Sequence, residues 1–377
     1  MKFVPGIVLI LALSLFVENS KKIISRMNSP VISSAVQKIV PTLINFNDTL
    51  RSDTLFIHFN KENIPVKYSR KVICNVCINN ECRLVNIELF WNITGSYLGF
   101  SLPEGEFLTK NEHEHFEKKD YTRLHNILNN PLSPLSNFKL TNLVLLSNVQ
   151  QKSVDAVSSA TNLSISDYVV KGAAYTTFTL WQIVYGETKQ EVEKRTTQKL
   201  SSKIAIEVLS GNSLEAKKWV LKHIPENMKI TPALTDKLLE LISGNDIYLA
   251  ETSLNALPAH LLTDEIQLKL YEIFKSSGYL KNRLIIQKLN EAPSLNNTMI
   301  RQLTTGLQNT TGTLTIDIIH LLRKHKTTDK QTIKQLSEML NSKNRFVANE
   351  TYKYLSELEI HDNKVLKRIA QYKETGN

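Results

Sequence analysis

The 377-residue sequence contains only three cysteines, Cys74, Cys77 and Cys82, and all of them lie within nine residues of one another. Small secreted scaffolds that depend on disulfides use more cysteines, and usually an even number. This chain is also long enough to bury a core without such cross-links. A disulfide-rich fold is therefore excluded, and the length predicts two domains instead.

The sequence also lacks the motifs that mark common nucleotide-dependent and metal-dependent enzymes. It has no P-loop, no G-x-G-x-x-G and no H-E-x-x-H, and its serines, histidines and aspartates follow no defensible triad order. No histidine follows Cys77, which excludes a C-x-x-C-H haem attachment site. We identify no catalytic residues from the sequence, so whether the chain is an enzyme stays open.

The charge pattern gives no sign of a nucleic-acid partner. Lysine and arginine number 46 against 36 acidic residues, and the net charge is +10. Such an excess can attract nucleic acid or an anionic membrane surface. Lysine and glutamate are interleaved, however, and no basic cluster carries interspersed aromatics. The sequence therefore favours a solvated, lysine-rich surface and predicts no nucleic-acid binding.

The three cysteines leave several kinds of chemistry open. A structural zinc or iron–sulfur site would need a fourth ligand, which His113 or His115 would have to supply. A disulfide in a strand turn beside one more thiol, or three inert thiols, is favoured over a metal site and over a redox-active C-x-x-C pair. Metal ligation by Cys74, Cys77 and Cys82 is therefore only a weak hypothesis.

The N-terminus carries an apolar run over residues 3–17, followed by the polar segment 18–22. This pattern is typical of a signal peptide or of an uncleaved membrane anchor, which we assign to residues 1–20. No A-x-A cleavage pattern follows, so both alternatives stay open. Either one predicts export, with the remaining domains in the periplasm or held at the membrane outside the cytoplasm.

Residues 21–188 are predicted to form an α+β domain. Alternating or β-branched runs predict strands at 55–59, 72–74 and 84–91, and Gly95 and Gly99 bound a turn and a following strand. Helical periodicity predicts one or two short helices within 31–45. A longer helix is predicted to begin at Thr109 or Asn111, to bury positions 121, 124, 127 and 128, and to end before Pro131.

The segment after residue 153 carries the pattern that indicates chemistry rather than packing. Ser164 and Asp167 form a capping box, which predicts a helix that runs from there to Gly186. Thr161 would then lie just ahead of a helix N-terminus, where backbone N–H groups and the helix dipole favour an anionic group, phosphate above all. A plain loop between a strand and a helix is the alternative.

The residues Asp155-Ala156-Val157-Ser158-Ser159-Ala160-Thr161 resemble the D-x-x-[ST]-[GS]-A-[TS] signature of FMN-binding domains. Such domains occur in the C and G subunits of the sodium-pumping quinone reductase and Rnf complexes and in other exported flavoproteins. The resemblance implies that a flavin transferase joins FMN to Thr161 through a phosphoester, with Asp155, Ser158, Ser159 and Ala160 around it. Ser159 stands where glycine is commoner in the family.

Flanking blocks also look similar to exported bacterial proteins of this flavin-binding type. They are residues 91–95, the segment 108–110 with His113 and Phe116, Asp120-Tyr121, and residues 171–176. Under this resemblance, Trp91, Tyr175 and Trp181 are candidate stacking partners for the flavin ring. Rings at such positions are more often ordinary core residues, and that alternative is the favoured one for each of them.

Residues 189–377 are predicted to form an all-α solenoid. After a polar linker or connecting helix over 189–200, apolar positions recur about every 33 residues, with short polar turns between them. Leu209, Ile242, Phe274, Leu307 and Leu340 are predicted to end one helix of each pair, and Ile224, Leu257, Leu289, Leu322 and Leu355 to lie in the other. The five units resemble short HEAT-like repeats.

Three functions follow as hypotheses. The first is an exported electron-transfer flavoprotein with covalent FMN, whose helical repeats dock a redox partner protein. The second is a non-enzymatic interaction scaffold that retains a vestigial flavin-binding domain. The third is a cysteine-ligated metal or thiol-redox protein. The Asp155–Thr161 motif favours the first, and makes electron transfer a better expectation than conversion of a substrate.

Overall fold

A computed structural model describes residues 24–46, 54–76, 83–110, 113–139, 165, 167–224, 228–310 and 312–375. The chain divides into two compact units, Met1–Thr196 and Thr197–Asn377. The described part of the first unit combines a β-sheet with helices, and that of the second consists of helices and short turns. The predicted layout, an α+β region followed by a helical one, is confirmed at this level.

Six antiparallel strands form the sheet of the first unit, in the order β1-β6-β5-β4-β3-β2. The strands are β1 Ser25–Met27, β2 Lys38–Leu43, β3 Thr54–Phe59, β4 Pro65–Cys74, β5 Val85–Asn92 and β6 Tyr97–Ser101. Alternate residues of β5 and their partners on β4 share one buried face, with Leu89 opposite Arg70 and Trp91 opposite Tyr68. This face forms the core of the unit.

The strand predictions are confirmed for β3, β5 and β6 and for residues 72–74, which end β4, whereas the prediction for residues 31–45 was wrong. That stretch contains strand β2, which pairs with β3, rather than one or two short helices. Ile39 and Val40 are β-branched and Pro41 cannot occupy a helix interior, so the local preference is for an edge strand. The three-residue strand β1 was not predicted.

Helices cover this face of the sheet. They are α1 Lys118–Leu128, α2 Ala174–Tyr185 and α3 Glu187–Lys199. Helix α1 packs against β6 and α2. The Trp91 indole donates a 2.9 Å hydrogen bond to the Val184 carbonyl, and the Arg70 guanidinium donates one of 2.8 Å to the Thr188 hydroxyl. Strands β4 and β5 are thereby joined to the α2–α3 segment.

Helix α1 begins later than predicted. Its N-cap is Glu117, which forms a capping box with Asp120, instead of Thr109 or Asn111. Ahead of it, the Lys110 N–H donates a hydrogen bond to the Glu114 carbonyl, and Thr109 forms an antiparallel β-bridge with His115. The predicted buried face is confirmed, with Tyr121, Leu124, Ile127 and Leu128 in the core.

Helix α2 also begins later than predicted. It starts at Ala174 instead of running on from a capping box at Ser164, a residue outside the described ranges. Gly172 has φ +78°, a left-handed conformation that a continuous right-handed helix cannot contain. The predicted end is confirmed, because Gly186 is the C-cap.

The second unit consists of successive helix pairs. Its helices are α4 Ser202–Ser210, α5 Leu214–His223, α6 Pro232–Ser243, α7 Ile247–Ala256, α8 Asp264–Ser276, α9 Tyr279–Leu289, α10 Asn297–Thr305, α11 Gly312–Lys324, α12 Lys330–Glu338, α13 Arg345–Ser356 and α14 Asn363–Thr375. Each even-numbered helix from α4 to α14 contacts the next even-numbered one, and the odd-numbered helices from α5 to α13 do the same. Contact between second neighbours is what stacked helix pairs require.

The repeated apolar positions lie where the pairs pack together. Leu257, Leu289, Leu322 and Leu355 are all buried, and so are Leu209 and Ile242. Leu307 and Leu340 differ from the prediction, since they lie in the 3-10 turns that follow α10 and α12 rather than at helix ends. Throughout the described ranges, we find no helix with the length and apolarity needed to cross a membrane. The apolar run 3–17 lies outside those ranges.

Candidate functional site

A small pocket of the first unit lies where the end of β4 and the start of β5 approach the N-terminus of α2. Segments from three parts of the chain meet there, so the pocket depends on the tertiary fold. Its lining residues are Val76, Arg83, Leu84, Val85, Phe107, Leu108, Thr109, Lys110, Gly172, Ala173, Tyr175 and Thr176. The set mixes two cations and two aromatic rings with apolar side chains.

The N-terminus of α2 contributes backbone polarity to this pocket. Its N-cap, Ala173, has no side chain that can accept a hydrogen bond, and its first turn contains no acidic residue. A Cβ atom on Gly172 would lie 3.3 Å from the Lys110 Cβ, so glycine lets the two segments approach closely. A helix start of this kind attracts anions through its N–H groups and its dipole.

Lys110 is held in the pocket wall by carboxylates. Its ammonium group lies 2.9 Å from Asp120 Oδ2 and 3.5 Å from Glu114 Oε1, and the hydrogen bond with Asp120 raises the pKa of Lys110. Burial opposes ionisation of Asp120, but the Glu117 N–H and Lys110 together hold the pKa of that carboxyl below its usual value. Both groups therefore stay charged at neutral pH.

Arg83 forms the second cationic part of the lining. Its guanidinium donates a 2.7 Å hydrogen bond to Glu106 Oε2, which lowers the pKa of Glu106. The same guanidinium lies over the Phe107 ring, 4.0 Å from its centroid. Phe107 in turn stacks on His115, with ring centroids 4.0 Å apart. The guanidinium and two rings make a layered arrangement at the pocket edge.

The structure separates the three aromatic residues that were candidate flavin neighbours. Tyr175 lines the pocket. Trp91 is fully buried and donates its indole hydrogen bond to Val184, which makes it a core residue without a ring face open to a ligand. Trp181 is also buried, and its indole donates a 3.1 Å hydrogen bond to the Asn130 carbonyl. Tyr175 is therefore the candidate that can take part in a site here.

The signature residues Asp155, Ser158, Ser159, Ala160 and Thr161 lie outside the described ranges, and so do Cys77 and Cys82. Cys74 is buried at the end of β4. The described residues contain no group of three histidine, cysteine or acidic side chains placed to hold a metal ion. His113 and His115, the candidate fourth ligands, are exposed in the turn before α1.

Sequence reasoning did not assign a role to Arg83 or Phe107. They belong to segments with no shared spacing, and only the fold brings them together. Two blocks that carried the family resemblance do meet, because the Leu108 N–H donates a 3.0 Å hydrogen bond to the Tyr121 hydroxyl, and Lys110 pairs with Asp120. Arg83 directly precedes the predicted strand at 84–91, and a cation at the start of a strand is the sequence signal that could have included it.

When compared with known proteins, the chain matches no protein-family model, no curated protein and no solved structure.

Proposed function

We propose that the protein is an exported flavoprotein that carries FMN as a phosphoester on Thr161 and transfers electrons in a periplasmic or membrane-associated redox system. The observation that carries this proposal is the Asp155–Thr161 motif in the sequence. A flavin transferase would attach the cofactor. The helical unit would dock the redox partner, and the N-terminal segment would supply any membrane association.

The pocket at the start of α2 supports the proposal through the chemistry of its lining. The uncapped start of α2 offers backbone donors suited to a phosphate, and Lys110 and Arg83, each already paired with a carboxylate, add positive charge to the lining. Tyr175 offers a ring of the kind that stacks on a flavin. When bound, FMN supplies the redox chemistry, and the protein supplies position and polarity.

The motif residues have distinct expected roles. Thr161 provides the hydroxyl oxygen of the phosphoester, and Asp155 orders the loop or helps to hold a metal ion while the cofactor is attached. Ser158, Ser159 and Ala160 are small enough to leave room for a bulky group beside Thr161. Ser159 replaces the commoner glycine, so its backbone has less conformational freedom than most family members allow at that point.

Covalent attachment is tested on protein that is expressed with its export signal and a flavin transferase. We expect a denaturing gel to show a fluorescent band for the wild type and for Thr161→Ser, which keeps a hydroxyl, and none for Thr161→Ala. Fluorescence that persists in Thr161→Ala would place the cofactor elsewhere. A dark wild-type band, with the transferase active on a known acceptor, would contradict the flavoprotein proposal and favour the interaction scaffold.

A further inference from the structure

A groove of about 620 Å³ crosses the helical unit along α5, α7 and α9. Its volume falls within the range of ligand sites in proteins, roughly 300–1,000 Å³. Its lining combines apolar side chains with charged and polar ones, among them Lys222, Thr252, Asn255 and Lys288. The groove is therefore neither a purely apolar seam between helices nor an ordinary solvated surface.

Three of these polar residues occupy the same position in successive helix pairs. Lys222, Asn255 and Lys288 are each 33 residues apart, and each is the next-to-last residue of its helix. In the following two pairs, that position of the repeat is taken by Leu321 and Tyr354, which are buried in the core. The polar residues at this repeated position are thus confined to the three pairs that line the groove.

Lys288 is unusual for a lysine, because only 4% of its side chain is exposed. Its Nζ donates a 2.6 Å hydrogen bond to Glu291 Oε2, and this is its one polar partner among the described residues. An ammonium group has three N–H donors, and leaving buried donors unpaired costs free energy. The groove therefore contains a buried cation with donors that remain available to an anionic ligand.

The distance between the two lysines indicates the form of that ligand. Packed helices lie about 8–10 Å apart, so the backbones at Lys222 and Lys288 are separated by roughly 16–20 Å. An extended chain rises about 3.3 Å per residue, so six residues span about 20 Å and return the side chain to the same face. Asn255 and Thr252 lie between, with amide and hydroxyl groups that can pair with peptide groups.

We infer that this groove binds an extended acidic segment of a partner protein, with two carboxylate side chains six residues apart, one reaching Lys222 and the other Lys288. Glu291 competes with the second carboxylate for Lys288. The inference deepens the docking role proposed above for the helical unit, but the groove does not require flavin, so its test can fail or succeed separately.

The test measures fluorescence anisotropy of labelled nine-residue peptides with the full-length protein at low salt. The probe has glutamates at positions 2 and 8 in an alternating threonine–valine background, and the control peptide has them at positions 2 and 7, on opposite faces. We expect saturable binding of the probe and binding of the control peptide that is weaker by about fivefold or more, as loss of one charge pair predicts. Equal affinities for the two peptides, or no saturable binding of the probe, would overturn the inference.

Variants distinguish the groove from a general electrostatic effect. Lys288→Met keeps the side-chain volume and should weaken binding about tenfold, since it removes a charged donor from a buried site. Lys222→Ala should weaken it about threefold to fivefold, whereas Lys217→Ala, on the same helix outside the groove, should leave it unchanged. If Lys217→Ala weakened binding of the probe more than the two groove variants did, the assignment would be contradicted.

The variant Glu291→Gln is expected to strengthen binding of the probe rather than weaken it. It removes the competing carboxylate, so binding should tighten by about threefold or more, which no folding defect can imitate. Unchanged or weaker binding in Glu291→Gln would mean that Lys288 does not contact the ligand. Thr161→Ala protein should bind the probe like the wild type, so a failure of the flavin proposal leaves this result intact.

Discussion

His58 is a buried histidine on the face of the sheet opposite to α2 and α3. Its Nε2 lies 2.8 Å from the Ser69 Oγ, and only 6% of the residue is exposed. Burial, and then the positive charge of Lys67, lower the pKa of His58 from 6.5 to about 4. The folded protein therefore holds this imidazole neutral under conditions in which an unfolded chain would protonate it.

This difference in pKa makes stability depend on pH. Below pH 6.5 the His58 imidazole is protonated in the unfolded chain, whereas in the folded chain it stays neutral down to about pH 4. The stabilisation is thus complete above 6.5 and is lost as the pH falls toward 4, by about 2–3 kcal/mol. Urea unfolding between these pH values should show a steeper fall for the wild type than for His58→Gln, and parallel curves would contradict it.

At the candidate site, the sequence identified residues by type but not by their accessibility. Three aromatic residues were equivalent candidates for contact with a flavin, yet Trp91 and Trp181 are core residues with indole groups bonded to backbone carbonyls. A ring that stacks on a ligand and a ring that packs in a core have the same signature in a single sequence. Only the tertiary fold places Tyr175 at the pocket.

The edge strand β1 depends on the glycine opposite it. Gly99 on β6 pairs with Met27, and a Cβ atom on Gly99 would lie 1.8 Å from the Arg26 carbonyl oxygen. Backbone atoms cannot give way as a flexible side chain can, so Gly99→Ala should push β1 off the sheet. We expect a loss of about 2–4 kcal/mol in the free energy of unfolding, as for other severe clashes in packed regions.

Gly105→Ala is the matched control for this clash. Gly105 has φ +76°, but nothing lies within 4 Å of the position that a Cβ atom would take, so only backbone strain of about 1 kcal/mol is expected. Denaturant unfolding of both variants, followed by circular dichroism, would separate the two effects. Similar losses for the two variants would show that contact with β1 adds nothing to the stability of the sheet.

Among the elements, those with strong periodicity were predicted best. The alternating run of β5 and the buried face of α1 follow from spacing alone, because burial imposes a period of two on a strand and about 3.6 on a helix. Helix starts were predicted worst. Thr109 and Ser164 both offered capping signals. Thr109 instead pairs with His115 in a β-bridge, and Gly172 has a left-handed conformation, so helices α1 and α2 begin only after these residues.

For the whole molecule, the division into two kinds of architecture was predictable because the period changes along the chain. The 33-residue repeat extends over residues 202–356, and second-neighbour contacts between helices repeat with it. A repeat specifies its own packing, since each pair has the same neighbours. The sheet order could not be derived in this way, because β1, the first strand in the sequence, pairs with β6, the last one.

The net charge of +10 raises a final question about partners of the whole molecule. Many cations of the helical unit are already paired with carboxylates, within one helix or between neighbouring pairs. Examples are Lys218–Glu215, Lys353–Glu350, Lys269–Asp236 and Arg283–Asp317. Paired cations release few counterions from a phosphate backbone, so the excess charge is a poor guide to nucleic-acid affinity.

We therefore expect the full-length protein to bind duplex DNA only weakly, with a Kd above about 10 µM at 0.15 M salt. Weak binding at 0.05 M salt would be compatible with this expectation, because non-specific attraction between net charges grows as screening falls. Fluorescence anisotropy of a labelled duplex measures the Kd at each of the two salt concentrations. Submicromolar binding at 0.15 M salt would reveal a phosphate-binding surface formed by several unpaired cations acting together, and would remove the reason for treating the lysine-rich surface as solvated.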